Sequence, residues 1–354
     1  MATDDLSPAA QDLLAMPILQ TNLVSDGFVP ADRIDPNLVN PWGVSFSPTG
    51  PFWVSDAGTG VTTIYNGTGT PVAAAGQFVV TISAPEDADR PAIPTGQVFN
   101  GGTGGFVVSE GGHSASPNFL FATIEGTISG WSPAVAADHS VIALDNRADG
   151  AEYTGLAIAS TDAGKLLFAA DFHNGEVAVF DQDFNKLAPV VDPFLPGDYA
   201  PFNVQVLDGH LFVAYAQQDE AGRRDVPGPG HGYVDEFSLD GTLLHRIAAE
   251  GRLDSPWGLD LAPASFGKFA GDLLVGNFGD GTINVFDRGT GAFVGKLSGP
   301  DGEPIQNDFL WTLTNGNGGT AGSADTVYFT AGIGDERHGL FGALAPITSD
   351  HPLS

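Results

Sequence analysis

Apolar residues in this chain come in short runs that alternate with polar ones, broken every few positions by turns rich in glycine. The segments FWVSDAGTGVTTIYN (Phe52 to Asn66), LLFAADFHNGEVAVFD (Leu166 to Asp181), DLLVGNFGDGTINVFD (Asp272 to Asp287) and TVYFTAGIGDERHGLFG (Thr326 to Gly342) share one plan. Each is an apolar strand, a glycine-bearing tip and a second strand. Period-two alternation of β-branched and aromatic residues around such tips predicts β-hairpins, and helical periodicity is nearly absent. A second phrase precedes each hairpin: Pro41-Trp42-Gly43, Pro94-Thr95-Gly96, Tyr153-Thr154-Gly155, Pro201-Phe202-Asn203, Pro256-Trp257-Gly258 and, degenerately, Leu310-Trp311-Thr312. Its six copies are spaced by 48 to 59 residues.

Units of about this size, each a small sheet, bury their faces by stacking radially. The predicted fold is therefore all-β, a six-bladed β-propeller. Open sheet edges invite aggregation, so the ring must close. The strand Ile18 to Val24 is expected to close it by pairing with the last blade near Leu340 to Leu344. The expected organisation is a flexible N-terminal segment 1–16, one propeller domain 17–346 and a C-terminal tail 347–354. Blade two is irregular: either the strand from Phe106 or the pair from Leu120 could supply its hairpin. Blade four carries a long insertion, Gln217 to Gly232, which reads as a lid or specificity loop because long loops on rigid scaffolds tend to be functional.

Charge changes the picture. Thirteen Lys+Arg against 43 Asp+Glu leave a formal net charge of −30, which argues against nucleic acid and anionic membranes as partners. No apolar stretch reaches the roughly 18 residues of a membrane span. With no cysteine, disulfides, thiolate metal sites and a thiol nucleophile are excluded. The start lacks the basic and apolar regions of a secretory signal. Removal of such a signal would leave a start like this one, and a secreted or periplasmic location is expected, with the cytoplasm kept as the alternative.

In a propeller the innermost strand begins on the face where the second strand turns into the third. The two repeated signals thus meet at one mouth of the central channel. That face is expected to gather Asn40, Trp42 and Asp56; Glu110 and His113; Asp171 and His173; Asn203, Gln217, Asp219 and His231; Trp257, Asn277 and Asp280; and Trp311, Asp335, Glu336 and His338. Converging histidines and carboxylates around an aromatic mouth are what a metal or acid–base site requires. His113, His173 and His231, with His338 as a spare, form the candidate zinc or copper set; Asp171, His173 and His231 are the candidate catalytic groups. Trp42, Trp257, Trp311, Arg223 and Arg224 are the candidate substrate contacts, the arginines as a clamp for a carboxylate. Each has a plainer role open to it. An Asp in a glycine turn commonly bonds its own loop, and tryptophans at repeat spacing commonly pack between blades.

The copies Asp280 to Asp287 and Asn174 to Asp181 resemble the NHL-repeat propellers. The stretches LQTNLVSD, DPNLVNPWGVSFSPTGPFWVSD, DGTISGW, SPWGLDLAPASFG and GDLLVGNFGDGTINVFD are similar to a widespread bacterial and fungal family of hypothetical six-bladed propellers. That resemblance, from about Leu19 to Ala345, implies the fold and export but no reaction. Six-bladed calcium lactonases hold Ca²⁺ with Glu, Asn and Asp from inner strands. Asn203, Asn277, Asp56 and Asp171 could imitate that set, although Asn40-Pro41-Trp42 stands where the lactonases carry a Glu. The NHL-like amidating lyases, with channel histidines and zinc, supply the other precedent. Two readings follow. One is a divalent-metal propeller (Ca²⁺ or Zn²⁺, with Cu²⁺ as a further option) with hydrolase- or lyase-type chemistry on a small lactone- or ester-like substrate. The other is a non-catalytic scaffold for a peptide, glycan or protein ligand. A closed ring is expected to be monomeric.

Overall fold

A computed structural model describes residues 17–347 apart from residue 77. The expected flexible segment 1–16 and the tail beyond residue 347 lie outside the described residues. Six antiparallel blades form one ring, with inner strands Pro41–Ser45, Pro94–Phe99, Tyr153–Thr161, Tyr199–Leu207, Pro256–Leu261 and Leu310–Asn315. Each inner strand packs beside the next, and the last packs against the first. Closure occurs where the sequence placed it. Strand Ile18–Ser25 runs antiparallel to Leu340–Pro346, with Ile18 opposite Pro346 and Ser25 opposite Leu340. The first and last described strands thus share blade six, and neither edge of that pair is left open.

Blade two takes Phe119–Thr123 and Thr127–Ser132 as its hairpin. The Val108–Glu110 and His113–Ala115 pair is a separate small hairpin inserted after the inner strand. Blade three has three regular strands, and its outer segment joins the sheet through the isolated bridges Val177–Val190 and Phe180–Lys186 rather than through a fourth strand.

The recurring phrase marks a β-bulge near the start of every inner strand. Tyr153 faces Asp171 while Gly155 faces Ala170, leaving Thr154 as the extra residue; Phe202 and Trp257 are extra in the same way. Irregularities fall at the same place in the other three blades. A bulge bends its strand and re-aims one side chain. Here it tips the middle residue of the phrase toward the axis. The small third residue has a different cause. A Cβ on Gly96 would lie 2.2 Å from the Leu156 nitrogen, and one on Gly258 would lie 2.6 Å from the Trp311 oxygen, so neighbouring inner strands approach only where no side chain intervenes. Asn203 replaces that glycine in blade four and donates Nδ2 to the Trp257 carbonyl at 2.8 Å, stitching blade four to blade five.

Candidate functional site at the channel mouth

The bulges build the floor of a cavity of about 410 Å³ at the face where the inner strands begin. Trp42 and Trp311 stack with ring centroids 3.6 Å apart, and Trp257 meets Trp311 edge-on at 5.7 Å. Phe278 lies 4.3 Å from Trp311, and Phe202 lies 5.9 Å from it. Phe172, Ile93 and Ile124 complete the apolar lining. The tryptophans therefore pack across the channel axis, and Trp42 and Trp311 also face the cavity, while Trp257 sits beneath them.

Polar groups enter the wall just before the inner strands and from the loops. Asn40 is held in the left-handed region at φ 46°, as are Ser255 and Phe309 at the same offset in blades five and six. Such residues persist only where their surroundings over-determine them. Asn40 accepts from the Trp311 indole at 2.9 Å and donates to Glu336 at 3.2 Å, which fixes its amide orientation and anchors that carboxyl to the floor.

The blade-four insertion folds over one side of the mouth as a tight hairpin bridged from Gln218 to Asp225. Asp219 accepts the backbone N–H groups of Arg223 and Arg224, so it shapes the loop without neutralising either guanidinium. Three contacts dock the loop on blade three. Gln218 donates to the Phe172 carbonyl at 2.5 Å, His173 Nδ1 donates to the Gly222 carbonyl at 3.1 Å, and Arg223 pairs with Glu152. On the far side His231 Nδ1 donates to the Val226 carbonyl at 2.8 Å, and Gly228 N–H donates to Asp254 at 2.7 Å. Arg224 and Asp225 line the cavity as a result.

The electrostatics of this wall are unusual for so acidic a chain. Burial pushes the Asp225 carboxyl up to about 6, and the Glu336 carboxylate adds to the effect. Burial also raises Glu336, against the Asn40 amide and the Arg224 charge, which favour its ionised form. Glu152 is raised by burial despite its ion pair with Arg223. Asp225 Oδ2 and Glu152 Oε2 are buried without a hydrogen-bond partner among the described residues. Burial of this kind disfavours the charged form of a carboxyl.

The histidines do not converge. His113 lies on the hairpin inserted at the far end of the blade-two inner strand, away from the mouth, together with Glu110. His338 Nδ1 donates to the Asp26 carboxylate at 2.6 Å and its ring stacks on Phe28 at 4.0 Å, beside the outermost strand of blade six. His173 and His231 are staples of the loop. The Asn–Asp set is equally dispersed into local bonds. Asp171 accepts from the Glu152 N–H at 3.1 Å and from Asn174 Nδ2 at 2.9 Å, while Asn277 donates to the Arg252 carbonyl at 2.9 Å and accepts from the Asp254 N–H at 3.2 Å. Asp56 is fully buried inside blade one and does not line the cavity. Among the described residues no group of three or more His, Asp or Glu side chains could hold a metal ion. The residues present do not fit Ca²⁺, Zn²⁺ or Cu²⁺ at either set.

Glu152, Arg90, Phe172 and Phe278 line the cavity without having been singled out. A signal for part of this existed. Asn40, Ile93 and Glu152 each stand immediately before the recurring phrase, so the repeat offset alone places them together.

No family model matches the chain. Uncharacterized protein L690 of Acanthamoeba polyphaga mimivirus is 34% identical over 331 residues, covering 91% of this chain and 84% of that protein. Uncharacterized protein R648 of the same virus is 32% identical over 333 residues, covering 91% and 78%. The bacterial and fungal family suggested by the motifs is not among these relatives. A solved streptogramin B lyase superposes with a TM-score of 0.51 at 10% identity, over 94% of this chain and 99% of that one, which is a likeness of fold. Among the described residues no helix is long and apolar enough to cross a membrane.

Proposed function

This chain belongs to one family with the mimivirus proteins L690 and R648, and on that premise we propose that its channel mouth is a small-molecule site for acid–base chemistry of the hydrolase or lyase type. One observation carries the reading: two half-buried carboxyls, Asp225 and Glu336, line a single aromatic-floored cavity together with the exposed Arg224. Perturbed titratable groups that meet in a cleft are the usual signature of such a site.

The chemistry follows from the pair. Asp225, at about 6, holds its proton in part of the population and lacks it in the rest near neutral pH, the condition under which a group both gives and takes protons well. Glu336, raised by burial and anchored by Asn40, supplies the second proton position in the cavity wall. One carboxyl removes a proton from a carbon or a water while the other protonates the departing oxygen. The aromatic floor binds the body of the ligand and excludes water beneath it. The fold is shared with a streptogramin B lyase, which supports including streptogramin B among the substrates tested.

The test is turnover of an aryl ester, a small lactone and streptogramin B by the wild type, Asp225→Asn and Glu336→Gln. The expected result is activity on at least one substrate, reduced by about 10²-fold or more in each variant. Turnover unchanged in the double variant would overturn the assignment. Ligand binding without any turnover would favour the scaffold reading.

A further inference from the structure

We propose that the ligand of the mouth is a small monocarboxylate on a flat apolar body, with its carboxylate held by Arg224. The inference rests on the reading of the mouth as a small-molecule site and names the class of ligand.

The argument begins with the cations of the cavity wall. Arg90 lies 3.4 Å from Glu125, and Arg223 is paired with Glu152. Arg224 makes no side-chain hydrogen bond or ion pair with any described residue, although its charge reaches Glu336. The chain has only 13 basic residues against 43 acidic ones, so an arginine left unpaired in a cavity wall stands out. Its backbone is not free: the Asp219 hairpin and the contacts to blade three hold this stretch over the mouth. A guanidinium offers a planar fork of donors that matches a carboxylate in two parallel hydrogen bonds.

The neighbours limit the charge of the guest. Asp225, Glu336 and Glu152 share the wall, and a dianion such as a phosphate would add two negative charges beside them, inside the field of a protein at −30. A monoanion is balanced by the single unpaired guanidinium. Below the charge, Trp42, Trp311 and Phe278 line an aromatic floor, each with no more than 7% of its surface exposed, and such a floor suits a planar body. The cavity of about 410 Å³ lies in the range of small-ligand pockets.

The experiment is isothermal titration calorimetry on the full chain at pH 7 with cinnamate, its neutral isostere cinnamamide, and phenyl phosphate. The wild type is expected to bind one cinnamate per chain at least tenfold more tightly than cinnamamide or phenyl phosphate. Arg224→Gln should bring the acid and the amide to equal affinity. Because the Arg224 side chain makes no hydrogen bond or ion pair with any described residue, this variant should keep the wild-type fold. Arg337→Gln, which removes an exposed charge paired with Asp335, should leave the preference intact. Equal binding of acid and amide by the wild type, or a preference that survives Arg224→Gln, overturns the carboxylate assignment while leaving the mouth as a ligand site. Tighter binding of phenyl phosphate overturns the monoanion. Binding of none of the three overturns this inference together with the small-molecule reading.

Discussion

Asp260 shows what the interior of this propeller does to a single carboxyl. It is almost fully buried on the inner strand of blade five; one oxygen accepts the Leu261 N–H at 2.8 Å and the other has no partner among the described residues. Burial pushes it up to about 7. Its folded value exceeds the unfolded one of about 3.9, so its contribution to stability is complete below about pH 4 and is lost as pH rises toward 7. The stability of the wild type relative to Asp260→Asn should therefore fall by on the order of 4 kcal/mol between pH 4 and pH 7.5. Urea unfolding of both proteins across that range measures it, and parallel pH dependences would show that the carboxyl titrates normally. Asp225 obeys the same sign with a smaller span, because its folded value is about 6.

At the scale of the element, the bulged inner strand is the unit that matters. Its third phrase position lies against the next blade, so Gly96→Val would force a side chain onto the Leu156 backbone and should cost about 3 kcal/mol or more, read as a lowered urea midpoint. Asn203→Ala removes the stitch to the Trp257 carbonyl and should cost about 1–2 kcal/mol. The blade-four loop behaves differently. His173→Ala releases a contact on an exposed loop, so the global unfolding transition should hardly move while affinity for a carboxylate ligand drops, because Arg224 loses its placement. A fall in both together would mean that the histidine supports the ring rather than the loop. The phrase itself was legible as a repeat, because its spacing is written in the chain. The bulge was not, since it appears only when the second strand is paired and one residue is left over.

For the whole molecule, closure and charge dominate. Deleting residues 17–25 would strip the outer strand from Leu340–Pro346 and leave an open edge, and the expected outcome is loss of cooperative thermal unfolding with aggregation. Self-repulsion at a net charge of −30 weakens the compact state and is screened by salt. The melting temperature should rise by roughly 5 °C or more between 20 and 500 mM NaCl. A melting temperature independent of salt would show that the acidic residues are spread too evenly to repel.

The blades, their number and the closing strand could be read from the sequence because each rests on local signals: alternation within a strand, glycine at a tip, and a phrase returning at regular intervals. Fold class follows from such signals, since hydrogen-bonded neighbours within a blade are also near neighbours in the chain. The mouth is another matter. His113 stood in a hairpin as regular as the others, yet that hairpin is an insertion carried to the far end of the channel. His173 and His231 were placed on the correct face, but the carbonyls they bind belong to a loop whose docking no periodicity encodes. Glu152, Arg223, Arg224, Asp225 and Glu336 meet although they come from three blades. Which of them are paired, which is left alone and which keep their protons depend on burial and distance across the ring. Those quantities exist only once the chain has closed.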